Sequence, residues 1–239
     1  MSIGLRSWKK QEGMLDMAVK SCITKEMIEE FRKMDTCCVS DAMDRLGLYA
    51  GLLGIKCILD DKKICGLAYT VHYVPCGVNK GTVGDFLDDV EPGEVIAIDN
   101  NGRLNCTVWG DIMSILASKK GIEGTLIDGV CRDVPTIRQL GYPIFSKGRY
   151  MVTGKDRVEV DYVNKPISIS GVQVKSGDLI LGDDTGAVCV PQERAAEVLA
   201  VAKEIDVKES QIVKFISEGL PLKEARARTG YHHLQTREK

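Results

Sequence analysis

The chain has 239 residues, of which 44% are hydrophobic and 28% charged, with a net charge of −2 at neutral pH. That length is enough for a well-buried core, and the balance is that of a water-soluble globular protein. The lack of a basic excess argues against a nucleic-acid binder, and no run of about 20 apolar residues exists that could cross a membrane.

In chain order, the opening MSIGLRSWKKQEGMLD has charges but no apolar stretch behind them. It predicts an N-terminal extension over 1–22, no secretory signal, and a cytoplasmic protein. The nine cysteines are odd in number and contain no C-x-x-C, and Cys65, Cys106, Cys131 and Cys189 sit inside apolar runs. They predict reduced thiols used as small core residues.

Thr24 is placed to cap a helix over 25–34, with Met27, Ile28, Phe31 and Met34 on one face. A second short helix is predicted over 40–47, between a Ser40 cap and a Gly47 stop. The β-branched and aromatic run 64–74 reads as a strand, and Pro92-Gly93 turns into another over 95–99. A helix follows over 107–121, with Trp109, Ile112, Leu116 and Ala117 as its apolar stripe and Lys119-Lys120 in its last turn, as the helix dipole favours. Strand 125–128, a turn at Asp128-Gly129, a helix from Pro135 to Gly141 and a strand over 143–146 complete an alternation that predicts a layered α/β sheet.

Beyond a polar connection at 148–157 the pattern changes. Short alternating strands over 167–191, broken at Gly171, Ser176-Gly177 and Asp184–Gly186, predict antiparallel pairing. A long helix over 191–219, interrupted near Asp206, leads into a loosely ordered tail over 220–239. A single domain over 23–219 is the resulting division.

Two stretches carry the chemistry. In 127-IDGVCRD-133, two carboxylates and a guanidinium crowd the end of an apolar strand, where unpaired charge is costly to desolvate. An Arg at a strand-to-helix junction can grip a carboxylate bidentately, and Asp133 suits a hard divalent cation. The alternative is an aspartate cap with an exposed arginine beside it, and the stretch alone leaves both open. In 110-GDIM-113, Gly110 permits close approach of a ligand, and the Ile112 and Met113 amides fall among the unpaired donors of a helix start; Asp111 could equally be only a cap. His72 reads as a core or interface histidine, and His232-His233 lack a third ligand at zinc-like spacing. Neither G-x-G-x-x-G, a P-loop nor G-x-S-x-G is present, which argues against nucleotide cofactors and serine hydrolases.

Taken in order, G-D-I-M, a helix, K-G-I-E-G-T-L-I-D-G-V-C-R-D and G-Y-P-I-F resemble the 4-hydroxy-4-methyl-2-oxoglutarate aldolase family, which also includes the regulator of ribonuclease E activity A. The likeness extends to 39-VSDAMDRLG-47, 64-ICGLAYTV-71, 92-PGEVIAID-99 and 171-GVQVKSGDLILGDDTGAVCVP-191, and covers roughly residues 35 to 219. It implies an α/β fold, a layered αβ sandwich of the swivelling β/β/α type with mixed sheets and extra terminal helices, assembled as a homotrimer or a pair of trimers. It further implies a 2-oxo acid held by Arg132 and the backbone of Gly110, Asp111, Ile112 and Met113, and Mg²⁺ or Mn²⁺ on Asp133. Asp111 would orient a catalytic water, and Asp41 and Glu209 of a neighbouring subunit would complete the outer shell of the metal. The implied activity is a metal-dependent lyase, releasing a pyruvate enolate by retro-aldol cleavage or by oxaloacetate decarboxylation, without an organic cofactor. The rival within the same family is a non-enzymatic regulator of a protein partner such as a ribonuclease. Members of that kind are shorter, ending soon after the position of Pro191, whereas this chain continues through the helix bearing Glu209. Cys131 departs from the small apolar residue usual at its place.

Overall fold

The computed structural model describes residues 21–49, 51–78 and 81–230; the extension over 1–20 and His232-His233 lie outside the described residues. The architecture is mixed α/β, organised around one long strand. Strand β2 (Ile64–Pro75) pairs antiparallel with β9 (Leu179–Asp183) through its first residues, parallel with β3 (Val95–Thr107) through Ala68–His72, and antiparallel with β6 (Val158–Val163) through its end. Parallel pairing continues from β3 to β4 (Gly124–Cys131) and on to β5 (Ile144–Arg149), while β1 (Lys56–Cys57) closes that edge and β10 (Gly186–Val190) closes the other. Every residue of β4 is buried, as expected for a parallel strand covered on both faces.

Three groups of apolar side chains make the layers. On one face, α3 (Asp111–Lys120) and α4 (Val134–Leu140) cover Ile96, Ile98 and Ile127 through Ala117 and Ile137. On the other, the separate hairpin of β7 (Ile167–Ile169) and β8 (Val172–Val174) packs on Ile64, Leu126 and Phe145. At the β9–β10 end, α1 (Lys25–Arg32), α2 (Thr36–Arg45) and α5 (Ala195–Ser217) enclose Phe31, Met43, Val188 and Val198. Cys38, Cys65, Cys106, Cys131 and Cys189 are core residues as expected, whereas Cys22 and Cys37 are exposed and Cys57 and Cys76 half-buried; burial pushes the Cys38 and Cys65 thiols up to about 12 and also raises Cys131, so none of the three is a ready nucleophile.

Several expected elements differ from the structure. α2 starts at Thr36, not Ser40, because Asp35 caps it by accepting the Cys38 amide at 2.7 Å, and Asp183 holds the Thr36 amide and hydroxyl at 2.8 Å. β3 runs on past Asp99 through two register shifts to Thr107. α3 begins at Asp111, so Trp109 precedes it, and Ser114 and Ala117 are its buried residues while Ile112 is 77% exposed. Asp128-Gly129 is no turn: both residues are buried inside β4, and Asp128 pairs with Lys147 and accepts the Ser170 amide. α5 passes Asp206 unbroken, and the tail contains a further helix, α6 (Leu222–Thr229). The Thr24 cap of α1 and the left-handed glycine caps Gly121 and Gly141 stand where the sequence puts them. Among the described residues no helix is long and apolar enough to cross a membrane.

Candidate active site

The site forms where β3 and β4 leave the sheet side by side. Trp109 is buried there and its indole N–H donates to Ser114 Oγ at 2.8 Å; that hydroxyl in turn donates to the Gly110 carbonyl at 2.8 Å. This chain fixes the first turn of α3 against the core. The Arg132 amide donates to the Trp109 carbonyl at 3.1 Å, which ties the end of β4 to the same point. Asp133 then adopts a left-handed conformation, φ 59° and ψ 33°, as the residue before α4. Aspartate is among the few non-glycine residues that tolerate this region, and such conformations cluster at functional sites.

The consequence is a tight junction of four residues. Asp133 Oδ2 accepts the Asp111 amide at 3.2 Å and lies 3.4 Å from Arg132 Nε. A Cβ on Gly110 would stand 2.5 Å from Asp133 Oδ2 and 3.3 Å from Arg132 Nε, so only glycine lets the carboxylate occupy its place. Gly110, Asp111 and Arg132 thus meet Asp133, as the two motifs anticipate. The expected amides are only partly available. Ile112 N–H is taken by Asp111 Oδ1 at 2.7 Å, and the first bond within the helix runs from Ser114 N–H to the Gly110 carbonyl. Met113 N–H is therefore the helix-start donor that remains for a ligand.

A cavity of about 420 Å³ opens over this junction, within the range of small-molecule sites. Gly110 to Met113 and Arg132 line it, with Asp133 just behind, in contact with Gly110 and Arg132. The rest of its lining includes Gly81–Asp85 and Thr153–Lys155, which the sequence does not mark, since it reads 148–157 as a polar connection. The signal available there was Gly154, whose Cβ would stand 2.2 Å from the Thr107 carbonyl.

Asp41 and Glu209 are not brought to this cavity. Asp41 lines a second one, of about 470 Å³, with Tyr49, Leu53 and Lys56. Burial, with the charges of Asp41, Asp35 and Asp206, raises the Glu209 carboxyl above its ordinary range. The fold therefore favours protonated Glu209: the penalty of ionising it is absent below the unfolded-state pKa and fully present above the folded one. Glu209→Gln should stabilise the protein at pH 7 by an amount within the ~0.2–1 kcal/mol of partly exposed charge pairs, a gain that fades as pH falls through the folded pKa. Melting curves across that range check it, and a variant less stable at pH 7 would contradict it.

A model of the Aldolase/RraA family (RraA-like) matches residues 36–189, more than half of the chain. The chain belongs to the Aldolase/RraA family. Asp41, Gly110–Met113, Arg132 and Asp133 fall inside the matched residues and Glu209 outside them. The chain is 38% identical over 212 residues to protein DlpA of Legionella pneumophila, a match covering 87% of this chain and 34% of that relative, so it spans about a third of DlpA's length. It is 32% identical to a Halalkalibacterium halodurans protein named "Putative 4-hydroxy-4-methyl-2-oxoglutarate aldolase", covering 82% of this chain and 90% of that one. Among solved structures, an uncharacterized protein of Pseudomonas syringae pv. tomato superposes with a TM-score of 0.80 at 41% identity, over 85% of this chain and 98% of that one. Streptomyces coelicolor RraAS2, described as an unusual member of the RNase ES inhibitor RraA protein family, superposes with a TM-score of 0.72 at 26% identity, over 79% of this chain and 96% of that one. The family thus contains relatives named for aldolase chemistry and relatives named for ribonuclease inhibition.

Proposed function

We propose that this member of the family is a divalent-metal-dependent lyase of 2-oxo acids, acting on a 4-hydroxy-2-oxo acid, on oxaloacetate, or on both through the same pyruvate enolate. The observation that carries the reading is the junction at Gly110, where a missing Cβ seats the Asp133 carboxylate against a guanidinium that lines a cavity. The aldolase name of the Halalkalibacterium halodurans relative supports it.

The donor set fits a hard cation. Asp133 and Asp111, brought together at the Gly110 junction, offer only oxygen donors. Mg²⁺ or Mn²⁺ suits such a place, since it keeps several waters and needs one or two protein carboxylates. When bound, the ion supplies positive charge that polarises the 2-oxo group and disperses the charge of the enolate. Asp133 is the residue that would hold it.

The rest of the work falls to the chain. Arg132 presents its planar fork to the substrate's carboxylate end and offsets the charge that grows as the C3–C4 bond breaks, from a position set before substrate arrives. The Met113 amide, at the positive end of α3, adds a donor to the same end of the ligand. Asp111, anchored through one oxygen to the Ile112 amide, orients a water that accepts the 4-hydroxyl proton in the retro-aldol direction. With oxaloacetate the bond that breaks releases CO₂, and no such proton need move.

Asp41 and Glu209 enter this scheme through a neighbouring copy of the chain, because within one chain they lie apart from the cavity. Exposed Ile112 beside one cavity and exposed Tyr49 and Leu53 at the other support a head-to-tail contact, which closes into a ring such as a trimer or into paired trimers.

The test is pyruvate release from oxaloacetate and from 4-hydroxy-2-oxo acids, with Mg²⁺ or Mn²⁺ and then with chelator. Metal-dependent release is expected. Release indifferent to chelator would remove the metal from the scheme. No release from any of these acids would move the assignment to the second reading, a regulator of a protein partner such as a ribonuclease, which the likeness to Streptomyces coelicolor RraAS2 favours.

A further inference from the structure

Retro-aldol cleavage to pyruvate moves two protons. One leaves the 4-hydroxyl for the water beside Asp111. The other must reach C3 of the enolate, and in oxaloacetate decarboxylation it is the only transfer needed. Among the described residues two carboxylates line the cavity, Asp111 and Asp85. Asp111 is committed to its own helix through the Ile112 amide, and Asp133, behind the lining, meets the Asp111 amide and Arg132. The Asp85 carboxylate forms no hydrogen bond and no ion pair among the described residues.

The segment that carries Asp85 is nonetheless fixed. The Tyr73 hydroxyl donates to the Val83 carbonyl, and the Val160 amide donates to the Thr82 carbonyl at 3.0 Å. Phe86 and Leu87, next in the chain, are buried, with Phe86 stacked on Tyr69. Lys120, at the end of α3, donates to the Leu87 and Asp88 carbonyls at 3.0 and 2.6 Å. Gly84 lies against the start of the same helix, where a Cβ on it would stand 3.2 Å from Met113 Sδ. Asp85 is thus held one residue from a contact with Met113, whose amide is the donor left for a ligand, while its own side chain is exposed.

A carboxylate left unpaired in a cavity for anionic ligands opposes their binding, and proton transfer is work that offsets this cost. We propose that Asp85 is a catalytic residue, whose carboxyl delivers the proton to C3 of the enolate and whose carboxylate, in reverse, takes a proton from the pyruvate methyl group. In the forward step the carboxyl O–H bond breaks, the enolate's electron pair forms the C3–H bond, and the C2 carbonyl is restored. The exposed carboxylate then regains a proton from bulk water. The proton taken from the 4-hydroxyl leaves to solvent, so retro-aldol cleavage releases none overall, and decarboxylation consumes one. The proposal rests on the lyase reading for the identity of the ligand, but its own content is proton transfer at C3 and needs no cleavage.

Pyruvate in D₂O isolates this step. With the full chain and Mg²⁺, its methyl signal in proton NMR should fade as deuterium replaces hydrogen at C3. Asp85→Asn should slow the exchange by about 100-fold or more, the scale of general acid–base catalysis. Titration calorimetry should find pyruvate bound to that variant at least as tightly as to the wild type, because a like charge has gone. Retained binding also reports that the variant is folded. A merely structural role would lower binding together with exchange.

Exchange unchanged in Asp85→Asn, binding lost along with exchange, or a wild type that exchanges no faster than free solution would overturn the proposal. Exchange that depends on Asp85 in a protein that releases no pyruvate from either class of acid would instead sink the lyase reading and leave this one standing. Metal-dependent pyruvate release with exchange indifferent to position 85 would do the reverse.

Discussion

Asp133→Asn is expected to reduce metal-dependent pyruvate release by more than about 100-fold while leaving the fold intact, since loss of even the outer partners of a metal ligand costs 10–100-fold. Asparagine is the informative replacement. It tolerates the left-handed conformation that Asp133 adopts, and its side-chain oxygen can still accept the Asp111 amide. What it removes is the negative charge, which Arg132 and a hard cation would share. Alanine would add backbone strain at φ 59° and confuse the two effects. Steady-state rates at saturating Mg²⁺, set beside thermal melting, separate them. A variant that keeps its rate within tenfold and its sensitivity to chelator would show that the metal is held elsewhere.

The second large effect concerns a residue without a side chain. Gly110 has φ −153°, an extended backbone that any residue adopts, so alanine there brings no backbone penalty. Its Cβ would nevertheless stand 2.5 Å from Asp133 Oδ2, and the carboxylate, as the movable end of a side chain, is what must give way. Gly110→Ala should therefore fold normally yet lose roughly 10²-fold in turnover, the cost of displacing a reacting group by about an ångström. A crystal structure of the variant should show the Asp133 carboxylate rotated off the Asp111 amide. Unchanged turnover would mean that the position of this carboxylate does not matter to the reaction.

Both effects centre on residues visible in the sequence, but visible in different ways. The pair Arg132-Asp133 stood out because charge at the end of an apolar strand needs a reason. Gly110-Asp111 is ambiguous alone and informative only together with the other motif, and the structure places the two in direct contact. Asp128-Gly129 has the composition of a turn, but Asp128 finds Lys147 and the Ser170 amide, partners 19 and 42 positions away, and with that charge satisfied the strand continues to Cys131. Ser40 looked like a cap for a similar reason. The start of α2 is set by Asp35 and by Asp183, the latter on a strand that local pattern cannot connect to it.

Local sequence thus determined the elements whose causes are local: the Thr24 cap, the glycine stops at 121 and 141, the buried apolar run at the start of β4 and the alternation that demands a layered α/β sheet. Those signals act within a few residues, through backbone conformation and the period of apolar side chains. Tertiary structure alone decided that β2 serves three partners, that the turn at Gly154 joins Arg132 in the lining of one cavity, and that Asp41 and Glu209 stand apart from it. Each of these depends on hydrogen bonds and contacts between segments far apart in the chain, whose partners no window of sequence contains. A cavity is a property of such contacts, so the residues that meet at the Gly110–Asp133 junction are legible in the sequence, while the rest of the cavity lining is not.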